Sequence, residues 1–103
     1  MYYTVLMVTK EMVMNKLSLI VDPELDIDII SLGLIYDVAL TDEKIIVTMT
    51  LTTPGCPLAP IIDQMIRETL VSYEMIVELK LVWDPPWTSD MMSEEARLQL
   101  GMI

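Results

Sequence analysis

Regular alternation of side chains between Ile45 and Thr52 places the strongest constraint on the fold. Apolar residues occupy the odd positions of this stretch and threonine occupies positions 48, 50 and 52, which is the pattern of a strand buried on one face. A break rich in proline and glycine follows at 53–57, and apolar residues then recur at helical spacing from Leu58 to Leu70. This region is therefore predicted to form a strand, a sharp turn and a helix.

Four other segments complete the predicted architecture. Thr9 is positioned to cap a helix that runs to about Ile20, and Ile35–Leu40 alternates as a strand. Val77–Trp83 alternates again, and Ser93–Gly101 has an acidic first turn, which is typical of a short helix. The order αββαβα predicts a two-layer α+β domain in which a small three-stranded mixed sheet is covered by helices. Because the 103 residues contain no linker-like stretch, they are predicted to form a single domain, 1–103.

The charge balance of the chain excludes several classes of partner. Sixteen carboxylates against six scattered basic residues give a net charge of −10. Nucleic-acid binding needs a clustered basic surface, so neither nucleic acid nor an anionic membrane surface is expected as a partner. Hydrophobic residues make up 53% of the chain, more than a small interior covers, which favours a homodimer or another protein-binding patch.

The number of cysteines and the N-terminal residues indicate the cellular compartment of the protein. A single cysteine cannot form an intrachain disulfide, and Met1–Thr9 lacks the positive charge and cleavage site of a secretory signal. The longest uncharged run, Ile45–Ile62, is interrupted by prolines and a glycine, which argues against a membrane span. A cytoplasmic location is expected.

Cys56 is the one strong nucleophile or soft metal ligand in the sequence. Pro57 suits the first position of the predicted helix, which would put Cys56 at or next to the N-cap, where unpaired N–H groups stabilise a thiolate and lower its pKa. A lone cysteine is often only a small buried apolar residue, but the rigid turn around this one favours a presented side chain. Since the chain has no histidine, cysteine–histidine enzymes and imidazole metal sites are excluded.

Two pairs of polar residues are candidates to act together with Cys56. Asp22 and Glu24 lie in an acidic loop after the first helix, and their carboxylates would point either at a cation or simply at solvent. Thr52 and Thr53 precede the cysteine, and their hydroxyls would donate hydrogen bonds to a sulfur or an oxyanion. The strand threonines further from the cysteine are expected to be ordinary surface residues.

Trp83 and Trp87 flank a stiff Asp-Pro-Pro segment near the C-terminus. Indole rings held in this way serve either as a hydrophobic plug at the end of a sheet or as a docking site for another protein. The residues alone leave both interpretations open.

Four ordered segments together resemble one known family. They are Asp22-Pro23-Glu24-Leu25, Leu32-Gly33-Leu34-Ile35-Tyr36-Asp37, Thr52-Thr53-Pro54-Gly55-Cys56-Pro57 and Asp84-Pro85-Pro86-Trp87. The chain is similar to the SufT/PaaD-like metal-sulfur cluster assembly domain from about Val21 to Gly101. The resemblance implies a small α+β domain that helps to mature iron–sulfur proteins, with a reactive cysteine at Cys56 and the acidic and threonine motifs lining its pocket. No cysteine cluster follows Gly101, which disfavours the PaaD branch and its zinc.

The number of thiols limits how a cluster would be held. An iron–sulfur cluster normally needs four ligands, largely thiolates, so with Cys56 as the metal ligand the rest would come from a second copy, a client protein or a small thiol. The main hypothesis is a non-enzymatic accessory factor that carries or positions a transient iron–sulfur cluster for transfer to client proteins, with no nucleotide or haem. Iron–sulfur carrier and client proteins would be its partners. Two alternatives stay open: a thiol-dependent, peroxidase-like redox enzyme, and a structural adaptor that acts through the Trp83–Trp87 loop.

Overall fold

The computed structural model describes residues 7–52 and 58–102, and this part of the chain forms a mixed α+β fold. The helices are α1 (Lys10–Leu17), α2 (Ala59–Leu70) and α3 (Glu94–Gln99). The strands are β1 (Val21–Asp22), β2 (Ile27–Asp28), β3 (Ile35–Leu40), β4 (Lys44–Met49) and β5 (Ile76–Leu81). Single 3-10 turns at Val71–Tyr73 and Ser89–Met91 follow α2 and precede α3. No helix in the described ranges is long and apolar enough to cross a membrane.

Strands β3, β4 and β5 form the predicted three-stranded mixed sheet, with β4 in the centre. β4 pairs antiparallel with β3 and parallel with β5, so that Val47 lies between Val38 and Leu79. The antiparallel pair is joined by a tight turn, whereas the parallel pair requires a crossover, which α2 supplies. The strand order that the sequence left open is therefore β3-β4-β5.

The hydrophobic core lies between one face of this sheet and the helices. Ile45, Val47 and Met49 of β4 are buried there, which confirms the alternation seen in the sequence. Helix α2 buries Ile62, Ile66 and Leu70, which recur every four residues along one side, and α1 buries Val13 and Leu17. This spacing places each helix with one apolar stripe toward the sheet.

The N-terminal helix is capped as predicted but is shorter than predicted. The Oγ1 of Thr9 accepts a hydrogen bond from the backbone N–H of Met12 at 3.1 Å. The helix ends at Leu17 rather than near Ile20, because the N–H groups of Leu19 and Ile20 bond three residues back, as in a tighter 3-10 turn. Ser93 caps α3 in the same way as Thr9, accepting from the N–H of Ala96 at 3.1 Å.

A short hairpin absent from the sequence prediction lies between α1 and β3. Strands β1 and β2 pair antiparallel over two residues each, with Asp22 opposite Ile27. Asp26, in the turn between them, has a positive φ of 57°, a conformation that aspartate tolerates better than most residues. Two-residue strands give too short an alternation to be recognised in a sequence.

Strand β4 also ends earlier than predicted, at Met49 instead of Thr52. Thr50 is 0% exposed, so the expectation of a surface role for this residue is wrong. Its backbone N–H donates to the carbonyl oxygen of Leu34 at 2.9 Å, so the chain stays bonded to the residue before β3 just past the end of β4. Alternation between faces holds only inside the paired strand, and Thr50 and Leu51 are consecutive buried residues.

Gly33 occupies a position that only glycine fits. Its φ is +78°, and a Cβ added there would lie 2.3 Å from the backbone oxygen of Met91. The loop before β3 and the 3-10 turn before α3 therefore approach each other through this glycine. Gly101 has a similar φ of +74°, but a Cβ at that residue would meet nothing within 4 Å.

Alanine substitution at the two glycines distinguishes the effect of backbone strain from that of steric overlap. Gly33→Ala is expected to lower the free energy of unfolding by more than about 2 kcal/mol, whereas Gly101→Ala should cost about 1 kcal/mol through backbone strain alone. Urea denaturation followed by circular dichroism measures both variants. Equal losses in the two variants would show that the contact between Gly33 and Met91 does not constrain the fold.

Candidate functional site

The predicted cysteine motif connects the end of β4 with the start of α2. Thr52 is half-buried after β4, and Leu58 immediately precedes α2. Thr53 and Cys56 belong to residues 53–57, which lie outside the described residues. Their roles stay predictions from the sequence.

Helix α2 begins later than the sequence predicted. Its first residue is Ala59 and its N-cap is Leu58, so the expectation of a helix that starts at Pro57 is wrong. Pro60 lies in the first turn instead, where its missing N–H costs no helical hydrogen bond. Cys56 stands two positions before the N-cap in the sequence, and no side chain accepts a hydrogen bond from the start of α2 among the described residues.

An apolar groove of about 310 Å³ adjoins these two ends. Leu51 lines it from the β4 side, and Ala59 and Pro60 line it from the first turn of α2. Leu79 and Leu81 of β5 also line it. The groove was not predicted, although the odd positions of the third strand were recognised as apolar in the sequence.

Arg67 fixes the helical wall of the groove to β5. Its Nε lies 3.0 Å from Oδ1 of Asp63, one helical turn earlier, and its Nη1 donates to the carbonyl oxygen of Val77 at 2.7 Å. The positive charge is therefore paired at the rim of the groove. The walls themselves are aliphatic, so the groove favours apolar contact over ion binding.

Asp22 is buried and stabilises its own loop. Only 6% of the residue is exposed, and its Oδ1 accepts hydrogen bonds from the N–H groups of Glu24 at 2.7 Å and Leu25 at 3.1 Å. Glu24 is exposed. Between the described residues, no hydrogen bond or ion pair joins either carboxylate to Thr52 or to α2. The structure therefore gives Asp22 a definite local role and leaves a role beside Cys56 as a prediction.

Two of the sequence motifs are brought together by long-range hydrogen bonds. The indole Nε1 of Trp87 donates to the carbonyl oxygen of Leu32 at 2.7 Å, and the hydroxyl of Tyr36 donates to the carbonyl oxygen of Pro85 at 2.7 Å. Trp87 also packs against the core, while Trp83 is 40% exposed. Of the two interpretations, Trp87 fits the hydrophobic plug, and Trp83 is the indole available for docking.

Potential metal ligands are sparse in the described part of the chain. Across residues 7–52 and 58–102, no group of three or more cysteine, aspartate or glutamate side chains is arranged to hold a metal ion. The acidic loop between α1 and β3 lies within these described residues.

The role of Asp22 leads to a prediction about stability. Asp22→Ala would leave the N–H groups of Glu24 and Leu25 without their acceptor, and the expected loss is about 1–3 kcal/mol of unfolding free energy. Glu24→Ala, the exposed control in the same loop, should change it by less than about 0.5 kcal/mol. Urea unfolding curves of the two variants provide the measurement. If Asp22→Ala does not change the free energy of unfolding, Asp22 has no structural role, and a purely functional role would be favoured.

Comparison with known proteins identifies relatives of this chain. The profile of a family described as iron-sulfur cluster assembly protein matches residues 10–81. The Fe-S protein maturation auxiliary factor YitW of Bacillus subtilis is 46% identical over 96 residues, covering 90% of this chain and 94% of that protein. The Fe-S protein maturation auxiliary factor SufT of Staphylococcus aureus is 46% identical over 87 residues, covering 82% and 99%. A crystal structure of a domain of unknown function, DUF59, from Bacillus anthracis has a TM-score of 0.84 at 36% identity, covering 91% of this chain and 92% of that one.

Proposed function

Because this chain belongs to the iron–sulfur cluster assembly protein family, we propose that it carries or positions an iron–sulfur cluster for transfer, with Cys56 as the ligand that it contributes. Membership of the family confirms the resemblance drawn from the four sequence motifs, and an accessory role in iron–sulfur assembly follows with it. The proposal adds a residue and a mode of action to that role. It rests on the chemistry of the thiol and on the surroundings that the described residues provide.

One observation supports the proposal most directly. The only thiol of the chain lies in segment 53–57, and Leu51 and Ala59, each one residue beyond the described ends Thr52 and Leu58, line the apolar groove. Aliphatic walls limit the access of water, and solvent exposure is one of the factors that set the potential of an iron–sulfur cluster. A cluster attached near this groove would be partly shielded while remaining accessible from one side.

A single protein ligand suits transfer better than storage. Cys56 would supply one thiolate, and the remaining ligands would come from a client protein, a small thiol or a second copy. Thiolates of the accepting protein then replace the donor ligands one at a time, without a change in the oxidation state of the cluster. Because the chain contributes only one bond to the cluster, the accepting protein has to displace only one ligand that belongs to this chain.

The partners in this scheme are iron–sulfur carrier and client proteins. The described surface offers them an exposed indole at Trp83 and an apolar groove rimmed by Asp63 and Arg67. Thr52, half-buried next to the cysteine segment, and Thr53 would donate hydrogen bonds to a sulfur of the cluster. The activity proposed is binding and handover, not turnover of a substrate.

Replacing the cysteine tests the proposal. Anaerobic incubation with iron, sulfide and a small thiol should give a charge-transfer absorption band in the wild-type chain. In Cys56→Ser this band should be weaker by roughly tenfold or more, because the variant lacks the thiolate that would bind the cluster. Metal and sulfide analysis after desalting measures the same difference. In cells, Cys56→Ser should lose maturation of iron–sulfur clients.

A relocated thiol provides the matched control. In the double variant Cys56→Ser with Asp42→Cys, the thiol moves to the exposed turn between β3 and β4, at the opposite end of β4 from Thr52. This variant should not recover cluster binding, because the groove is missing from its surroundings. Recovery would show that any surface thiol suffices. If Cys56→Ser supports client maturation as well as the wild type does, the chain acts as an adaptor instead.

A further inference from the structure

The outer edge of β5 is unpaired in the described part of the chain. β5 is the last strand in the order β3-β4-β5, and no other described strand pairs with it. It is six residues long, and it contains no proline and no bulge against β4. Natural proteins usually protect such an edge with proline, charged residues or a bulge, because its free N–H and C=O groups can pair with another strand.

The pairing with β4 determines which backbone groups face outward. The N–H of Ile76 donates to Glu43 at 2.9 Å and that of Val82 donates to Met49 at 2.8 Å, so the even residues of β5 face β4. In a parallel ladder the backbone groups of the odd residues then point away from β4. The N–H and C=O groups of Val77, Leu79 and Leu81 therefore lie at the free edge. The Nη1 of Arg67 bonds the Val77 carbonyl oxygen, which retains a second lone pair.

The side chains of β5 make this edge complementary to itself. Val77, Leu79 and Leu81 lie on the core face, and Leu81 is 43% exposed. On the other face, Glu78 and Lys80 stand on either side of Leu79, with opposite charges. If two copies of the strand run antiparallel with Leu79 opposite Leu79, each Glu78 lies opposite a Lys80 of the other copy. The apolar residues then meet apolar residues on the core face.

The local charge around β5 also differs from that of the whole chain. The net charge is −10, yet three of the six basic residues, Lys44, Arg67 and Lys80, lie on or beside this strand. Lys44 lies 3.6 Å from Glu78, and Arg67 is paired with Asp63. The edge is therefore close to neutral where two copies would meet, and the remaining repulsion is screened over about 8 Å at physiological salt.

We propose that two copies of this chain associate through their β5 edges, antiparallel and centred on Leu79, to form one continuous six-stranded sheet. The outward N–H and C=O groups of Val77, Leu79 and Leu81 then form the new ladder. Each Leu81 gains the partner's Val77 as a neighbour, which covers its exposed side chain. This inference concerns the strand edge and does not depend on the proposed role of Cys56.

The arrangement has a consequence for the candidate site. The two β5 strands run in opposite directions, so the ends that bear Leu81 and the groove lie on opposite sides of the two-fold axis. At a rise of about 3.3 Å per residue, the two Leu81 positions are about 13 Å apart along the strands. The dimer keeps two separate sites, and a cluster held in either would take its other ligands from a client or a small thiol.

Charge reversal at the edge tests the proposal. Glu78→Lys places lysine opposite lysine twice in the dimer, and Lys80→Glu places glutamate opposite glutamate twice. Each variant alone is expected to dimerise at least about tenfold more weakly than the wild type. An equimolar mixture restores two opposite-charge pairs and should dimerise as well as the wild type. Sedimentation equilibrium in reducing buffer at 0.15 M salt measures all three samples, and circular dichroism checks that each variant is folded.

Two controls keep the result specific to this edge. Glu11→Lys changes the net charge as Glu78→Lys does but lies on α1, and it should not weaken dimerisation. Cys56→Ser should dimerise like the wild type, since no disulfide is involved.

In hydrogen–deuterium exchange of the backbone amides, the N–H of Leu79 should become protected as the protein concentration rises. A chain that stays monomeric at 1 mM (about 11.8 g/L from the molecular mass), or a dimer insensitive to both reversals, would overturn the proposal.

Discussion

The pairing of β4 on both of its sides is the constraint on which the rest of the structure depends. Its residues bond β3 on one side and β5 on the other, while Ile45 and Val47 are completely buried beneath the helices. A shift by one residue would turn these side chains to solvent, so the register is strongly determined. The position where β4 ends then sets where the chain turns through Thr50 and Leu51 toward the cysteine motif.

A second set of contacts closes the fold from its C-terminal side. Trp87 and Tyr36 join segments that are 55 and 49 residues apart in the chain, through hydrogen bonds to backbone carbonyl oxygens. Gly33 allows this approach, because any side chain would overlap the backbone of Met91. The motifs containing these residues thus have a structural explanation.

The sequence predicted the elements well where a local signal was strong. The alternation of β4, the cap at Thr9 and the acidic first turn of the helix after Ser93 are local patterns, and all three are confirmed. The boundary errors have local causes as well: Pro57 and Pro60 both fit a first helical turn, and only the structure distinguishes them. The burial of Thr50, the β1–β2 hairpin and the groove depend on tertiary contacts, which no periodicity encodes. For the candidate site, the sequence named Asp22 but did not reveal that its carboxylate binds its own loop.

The proposed function depends most on whether the Cys56 thiol is accessible in the folded chain. The most direct measurement is the rate at which iodoacetamide alkylates the native protein, followed by intact mass under anaerobic conditions and compared with the rate in urea. The account predicts that the native rate is within about tenfold of the unfolded rate, or faster, because the thiol reacts without global unfolding. Alkylation that occurs only as the chain unfolds would contradict it.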